Sequence, residues 1–465
     1  MRPPQKNTRH VIEVLEATAK GFGIGSINGF TVFVDGGLPG DIIDSLLVKV
    51  KKRYGYAKIM AIITPSPFRI KSECPVSKTC GGCQWQHCEY SAQLGFKKKI
   101  VSDAFARIGG IINPPVFDVI GMENPARYRN KAVFPITPAK NKDGFAIGMF
   151  APRSHRLVEV NDCLIQHESH VKILQALKEH MRSCKITAYD ETAHKGLVRH
   201  IVIRTSFSSG EIMVAIVVNG KILPGAEEFC ETLTGLGVST VLVSRNTFRG
   251  NTILGNHFQI LSGSGFISEK IGEVEYQLSA PSFFQVNPVQ TRILYEVAIA
   301  QAEIAPDFTI IDAHAGVGGV ALFAAKSAKS VLGVDIVEAA VTDAKKNAAL
   351  NGIKNAEFVC GAAEDVIPKL MQSENTRPNV IFLDPPRKGT DAELLNAIIC
   401  AEIPKVVYIS CDPATLARDV KILVSGGYKL IAAQPVDMFP FTGKVETVSV
   451  LRRTAPSKSL NLSTL

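Results

Sequence analysis

The sequence has no apolar run near the roughly 18 residues that a membrane-spanning helix requires, which sets a helical membrane protein aside. Its opening stretch, MRPPQKNTRH, is polar and lacks the apolar core of a secretory signal, so the expected location is the cytoplasm. Internal repeats and extended low-complexity tracts are also missing, which sets repeat architectures aside. What is present is the composition of a globular chain, 46% hydrophobic and 20% charged. At 465 residues the chain is long enough for two to four domains, each with its own core.

Net charge is +9, and residues 1–70 hold ten Lys or Arg against five Asp or Glu, so over half of the excess lies there. A local basic surface of this kind suits a polyanion such as RNA, and it equally describes an ordinary solvated face. The ten cysteines are not expected to form disulfides in a reducing compartment. Their positions are therefore read as metal ligands, nucleophiles or core residues.

Residues 11–64 alternate short apolar runs (VIEVL, FTVFV, DSLLVKV, AKIMAII) with turn signals at GFGIG, NG and GGLPGD, the pattern of a small antiparallel barrel. A cysteine-rich stretch at 74–88 follows, then a helical pattern closed by Gly109 and Gly110. Residues 115–275 read as mixed, with strand-like VRHIVIRTSF, EIMVAIVV and STVLVSRN around a helix near 167–182. From about 290 onward apolar strand runs alternate with helical patterns, which indicates parallel strands in a doubly wound sheet. The expected fold is thus multidomain: an N-terminal OB-like β-barrel (1–65), a central α+β domain (66–275) and a C-terminal α/β, Rossmann-like domain (276–455). A flexible polar tail is expected at 456–465.

Ligands of such sheets bind at the carboxyl ends of the strands, where the strand order reverses. The first strand runs into Asp312-Ala-His314-Ala-Gly316-Val-Gly318, whose glycines let a ligand approach the backbone. The next strand ends at Asp335, where a carboxylate can accept from both ribose hydroxyls. This much suits a nicotinamide cofactor equally well. Asp384-Pro-Pro-Arg387 tips the balance, because a rigid strand-end turn can hold a polar side chain over cofactor and substrate, a pattern similar to that of methyltransferases acting on nucleic-acid bases.

The following strand, KVVYIS, delivers Cys411 within Ser410-Cys411-Asp412-Pro413, followed by Ala-Thr-Leu-Ala-Arg418-Asp419. Uracil C5 is a poor nucleophile, and a thiolate added to C6 makes it an enolate equivalent; covalent catalysis splits one hard step into two. A base must then remove the C5 proton, and Glu446 in Pro440-Phe-Thr-Gly-Lys-Val-Glu446 is the candidate. Taken alone, Cys411 reads as a small buried hydrophobe and Glu446 as a solvated carboxylate; the glycine loop and Asp384 beside them reverse that reading.

Together these motifs resemble the RNA uracil-C5 methyltransferases, specifically the iron-sulfur branch that modifies 23S ribosomal RNA, over nearly the whole chain. The resemblance implies Cys411 as nucleophile, Glu446 as base, and Gln285 (in Phe283-Phe-Gln-Val-Asn287), Asp335 and Asp384 as S-adenosylmethionine-binding residues. His314 stands where that family has an aromatic residue, and is expected to line the adenosine pocket. Phe441 and Lys444 stand where the family has histidines, and Asp335 where it commonly has Glu.

Cys74, Cys80 and Cys83 read C-x5-C-x2-C, with Cys88 or the distant Cys163 as the nearest fourth ligand for an iron-sulfur cluster or zinc. The resemblance implies Cys163 and a [4Fe-4S] cluster, with Cys88 left as a spare thiol; since methyl transfer from a sulfonium needs no redox step, the cluster is expected to shape the RNA-binding surface. The resemblance also implies an RNA-binding barrel of TRAM type, with Lys49, Lys51, Lys52, Arg53 and Lys58 available for phosphates, and Arg127-Tyr-Arg-Asn-Lys131 as a second basic-aromatic stretch. No obligate protein partner is evident. Transfer RNA as substrate, a non-catalytic RNA-binding factor and a nicotinamide-dependent or iron-sulfur redox protein stay as alternatives.

Overall fold

The computed structural model describes residues 3–373 and 377–454; the expected tail at 456–465 lies outside them. Two compact units are present: one takes in the chain through Lys71, His87–Met122 and the chain from Arg292, the other Ser72–Gln86 and Glu123–Thr291.

The first unit opens with strands β1 (Arg9–Ala17), β2 (Phe22–Ile27), β3 (Phe30–Asp35), β4 (Ile42–Val50) and β5 (Tyr54–Thr64), closed into a barrel of order β1-β2-β3-β5-β4. All pairs are antiparallel except β3 with β5. Strict alternation along β3 sends Phe30, Val32 and Val34 inward to meet Ile12, Val14, Ile43 and Leu47. The interior is tight enough that a Cβ at Gly25 would fall against the Ile12 side chain and the Glu13 carbonyl. Helix α1 (Tyr90–Arg107) follows in the same unit.

The second unit holds β6 (Lys131–Pro138), β7 (Phe145–Phe150), β8 (Leu157–Glu159), α2 (His170–Ser183), β9 (Val198–Thr205), β10 (Ile212–Val218), α3 (Ala226–Gly235), β11 (Thr240–Arg245) and β12 (His257–Ser262). Its seven strands run β12-β11-β10-β9-β6-β7-β8, with a separate hairpin of β13 (Phe266–Ile271) and β14 (Val274–Ser279). The uninterrupted apolar run of β10 is buried along its whole length, as a strand covered on both faces must be. Leu174 and Leu177 of α2 and Phe229 and Leu233 of α3 share its core.

After α4 (Pro288–Ala302) come β15 (Thr309–Asp312), α5 (Gly319–Ala325), β16 (Ser330–Asp335), α6 (Glu338–Leu350), β17 (Ala356–Cys360), α7 (Ala363–Ser373), β18 (Val380–Leu383), α8 (Ala392–Cys400), β19 (Lys405–Ser410), α9 (Pro413–Ser425), β20 (Tyr428–Val436) and β21 (Glu446–Arg453). The sheet order is β17-β16-β15-β18-β19-β21-β20. Its first five strands are parallel, and β21 enters antiparallel between β19 and β20. That departs from the all-parallel dinucleotide order, and the reversal between β15 and β18 marks the ligand crevice. Val101 and Phe105 of α1 pack into this sheet's core beside Val406, Leu416 and Leu423.

Candidate active site

Five chain segments meet at the carboxyl edge of the parallel strands, those after β15, β16, β18 and β19 and the one that opens β21. After β15 the backbone turns at Gly316 (φ 54°) and Gly318 (φ 91°), a left-handed geometry that favours glycine, before α5 begins. A Cβ at Gly319 would lie 2.6 Å from the Tyr295 hydroxyl, so the loop also needs a bare backbone there. Asp335 at the end of β16 accepts from Gly316 N (2.9 Å) and Val337 N (2.8 Å), tying the glycine loop to the second strand. A carboxylate has about four lone-pair sites, so acceptor capacity remains for sugar hydroxyls. Beside it Ile336 is 70% exposed, an apolar surface that a flat base can cover.

His314 lies in the same loop, half-buried, and burial pulls its imidazole down to about 4. It is a neutral ring at physiological pH. Its Nδ1 is buried without a hydrogen-bond partner.

Strand register brings the expected nucleophile and base together. In the antiparallel β19–β21 pair Ser410 lies opposite Thr447, so the next residues outward, Cys411 and Glu446, leave the two strands side by side. Directly opposed residues in such a pair have Cα atoms about 4.5–5.5 Å apart. On the other side of β19, Leu383 pairs with Tyr408, which places Asp384 at the same edge.

The edge carries more negative charge than its surroundings can solvate. Burial, then the charge of Asp384, pushes Glu446 up to about 8, against the pull of Lys444 and Arg387. Burial and Asp312 raise Asp384 to about 7. Asp312, 1% exposed, is raised to about 7 by burial even though it accepts from the His314 and Ala321 amides. Burial, Glu446 and Asp384 together lift the Cys411 thiol to about 11, with Arg387 opposing them. The resting thiol is therefore protonated at neutral pH. Three carboxyls and a thiol, offset only in part by Arg387 and Lys444, form a site that a positively charged ligand would stabilise.

The loop from Asp437 to Glu446 is anchored from α1. Lys97, fully buried, donates to Asp437 Oδ1 (2.5 Å) and to the Phe439 carbonyl (3.1 Å). Tyr90 donates to Asp437 Oδ2 (2.9 Å), and the amide of Phe441 donates to Gln93 Oε1 (2.9 Å). Phe441 and Lys444 thus serve the loop's shape, with the Lys444 ammonium 5.7 Å from the Phe439 ring centroid.

Gln285 belongs to the second unit, half-buried, its carbonyl accepting from Asn130 Nδ2 (3.0 Å). In that unit Cys74, Cys80, Cys83 and Cys163 line one cavity of about 290 Å³. Burial pushes Cys83 up to about 12, and the neighbouring Cys163, Cys80 and Cys74 push the same way. Among the described residues no group of three or more His, Cys, Asp or Glu is placed to hold a single metal ion. Cys88 is buried in the first unit.

The second expected basic stretch is not an open RNA surface. Arg127 is ion-paired with Asp162 (2.5 Å), Tyr128 is 1% exposed, and Lys131 begins β6 and lines the cysteine cavity. Residues 127–130 precede β6 as a loop, and the ion pair and burial are what withdraw Arg127 and Tyr128 from solvent. The barrel lysines fare differently: Lys49, Lys51, Lys52, Arg53 and Lys58 are all exposed.

Sequence reasoning missed Tyr295. It sits buried on α4, its phenol raised by burial and then by Asp384, Asp312 and Glu446, so it faces the same carboxyls. Within TRILYEVAIA it is indistinguishable from an ordinary core aromatic.

Residues 89–454 match the family model described as tRNA (Uracil-5-)-methyltransferase, and residues 6–60 match the TRAM domain. A protein named as an RNA methyltransferase in Halalkalibacterium halodurans is 42% identical over 451 residues, covering 97% of this chain and 98% of its own. Another so named in Clostridium tetani is also 42% identical over 451 residues, covering 97% of each. Among solved structures, the Pyrococcus abyssi tRNA (uracil-54, C5)-methyltransferase in complex with S-adenosyl-L-homocysteine superposes with a TM-score of 0.76 at 26% identity, covering 96% of this chain and 100% of that one. With a family model spanning most of its length, the chain belongs to the tRNA (Uracil-5-)-methyltransferase family of RNA methyltransferases, with a TRAM domain at its N-terminal end.

Proposed function

We propose that this methyltransferase places a methyl group on C5 of a uridine through a covalent bond between Cys411 and C6, with Glu446 as the base. The observation that carries the reading is the β19–β21 register, which sets Cys411 and Glu446 side by side at the edge that also bears Asp384. Bound S-adenosylmethionine supplies an electrophilic methyl group and a positive charge. Asp335 and the Gly316–Gly318 turn are suited to the ribose, Ile336 and the neutral His314 ring to the adenine, and Asp384 to the remainder; Gln285 is kept as a cofactor-binding residue on the resemblance.

The residues act in sequence. Cys411 gives up its proton to water and its sulfur adds to C6, sending the C5–C6 electron pair to C5 and O4. C5 then takes the methyl group that bound S-adenosylmethionine would give up, the cofactor's sulfur keeping the S–CH3 pair as S-adenosylhomocysteine. Glu446, ionised, removes the C5 proton; the electrons restore the C5–C6 double bond and the sulfur leaves with the S–C6 pair. Burial comes first among the causes that hold the resting thiol near 11, and a positive charge near Asp384 would offset the share due to that carboxylate.

The target is a flipped or loop uridine, since C5 and C6 are hard to reach in a stacked helix. The barrel supports RNA binding: beside its exposed lysines, Phe33 packs against Tyr54 and Tyr56 with ring centroids 5.6 and 5.5 Å away. Large-subunit 23S ribosomal RNA is the proposed substrate. Transfer RNA is the second reading, favoured by the transfer-RNA enzyme among the structural neighbours.

A [4Fe-4S] cluster held by Cys74, Cys80, Cys83 and Cys163 is part of the proposal. Its support is that these four thiols, the set the resemblance implies, line one cavity. The working domains are taken as 1–65, 66–275 and 276–455, although α1, inside the second of these, packs in the methyltransferase core. A cytoplasmic location is part of the same reading.

The test is methylation of unmodified 23S ribosomal and transfer RNA with labelled S-adenosylmethionine, followed by nucleoside analysis. 5-Methyluridine in the ribosomal RNA is expected; 5-methyluridine in transfer RNA alone would move the substrate, and none in either would sink the reading.

A further inference from the structure

Asp419 of α9 is fully buried, and two of its three hydrogen-bond partners lie outside α9. Its Oδ2 accepts from the Thr390 amide (2.9 Å) and the Tyr408 hydroxyl (2.7 Å), and its Oδ1 from Arg418 Nε (2.7 Å). Thr390 Oγ1 lies 3.1 Å from the same Tyr408 hydroxyl. Arg418 reaches on to the Lys388 carbonyl (2.9 Å). Gly389 between them has a φ of 81°, and a Cβ there would fall on the Asp419 and Arg418 side chains. A buried carboxylate is costly unless fully compensated, and here the compensating groups come from β19, from α9 and from the turn that begins at Asp384.

We infer that Arg418 and Asp419 are positioning residues that tie the Asp384–Thr390 turn to the helix starting two residues after Cys411, and so hold Arg387 beside the thiol. The tie spans both ends of the site. One end of the turn is Asp384, fixed at the end of β18; the other is Thr390, fixed on Asp419. Arg387 lies between these two anchors, exposed, and its charge opposes the carboxylates that raise the Cys411 thiol. Without the tie the turn keeps its prolines but loses its far anchor, and Arg387 no longer has one place relative to the sulfur. The inference rests on Cys411 being the nucleophile, and its test reads the thiol directly.

The experiment is a double-mutant cycle on full-length protein without RNA, following iodoacetamide alkylation of the Cys411 peptide by mass spectrometry at pH 8. One pKa unit is tenfold in thiolate, and Arg387 acts on the thiol less strongly than Glu446 or Asp384, so Arg387→Gln should slow alkylation by about twofold to threefold. Arg418→Met takes one compensating group from buried Asp419, so its melting temperature is measured alongside; the folded variant should slow alkylation by a similar factor. The double variant should be no slower than Arg387→Gln alone, because the tie acts through Arg387. Asp419→Asn should repeat the result if its melting temperature is preserved. Wild-type alkylation in Arg418→Met, or effects that multiply in the double variant, would overturn the inference. Because no RNA is present, a failed uridine adduct elsewhere would count against Cys411 as nucleophile and leave the tie standing.

Discussion

Glu446→Gln should make the enzyme chemically more eager and catalytically dead. The thiol of Cys411 stands at about 11 against an ordinary 9, a difference of two units, or ~100-fold less thiolate. Burial takes the largest share and Glu446 the next, so the carboxyl's own share is under one unit and its removal should recover less than about tenfold, on the order of threefold. The free variant should therefore alkylate at Cys411 faster than wild type above pH 8, where the native carboxyl is ionised. With RNA and cofactor the same variant should stall after methyl transfer, because the C5 proton has no acceptor, and accumulate a protein–RNA species that survives denaturing electrophoresis. Faster alkylation with no stalled species would refute Glu446 as base; unchanged alkylation with normal turnover would refute its place beside the sulfur.

Other perturbations follow from the same geometry. In wild type, kcat/KM should rise with pH through about 8 as Glu446 ionises, and a flat profile from pH 6 to 9 would contradict this. Because the folded pKa of Glu446 is raised above the ordinary 4.5, the folded state binds the proton more tightly and loses stability as pH rises from about 4.5 through about 8. Glu446→Gln should thus gain stability relative to wild type across that window, read by denaturant titration at pH 5 and 8. Lys97→Met leaves Asp437 buried without its ammonium and should cost roughly 3–5 kcal/mol, measured by the same titration. Cys80→Ser should purify anaerobically without the iron and sulfide expected of wild type; zinc in place of iron in wild type would replace the cluster proposal.

The barrel and the doubly wound sheet were legible because each rests on local periodicity: alternation in FTVFV, and buried runs such as NVIFLDPP ending at a polar residue. Site residues at strand ends were legible for the same reason. What could not be read was long-range register. Nothing local places Glu446 beside Cys411, since that depends on β21 entering antiparallel between β19 and β20. Helix α1 follows the cysteine stretch in sequence, yet Val101 and Phe105 complete the methyltransferase core. Tyr295, the Lys97–Asp437 pair and the Asp419 tie are buried polar groups whose partners lie far away in sequence, and composition carries no trace of such pairings. Arg127 and Lys131 show the reverse error, a local basic-aromatic signal drawn into an ion pair and a cavity wall.

The most direct test of the central claim uses RNA in which the target uridine is replaced by 5-fluorouridine. Fluorine at C5 cannot leave as a proton, so the enzyme with S-adenosylmethionine should form a denaturation-resistant adduct whose peptide maps to Cys411 and carries the transferred methyl group. Full methylation of ordinary RNA by Cys411→Ala, or an adduct on any other residue, would contradict it.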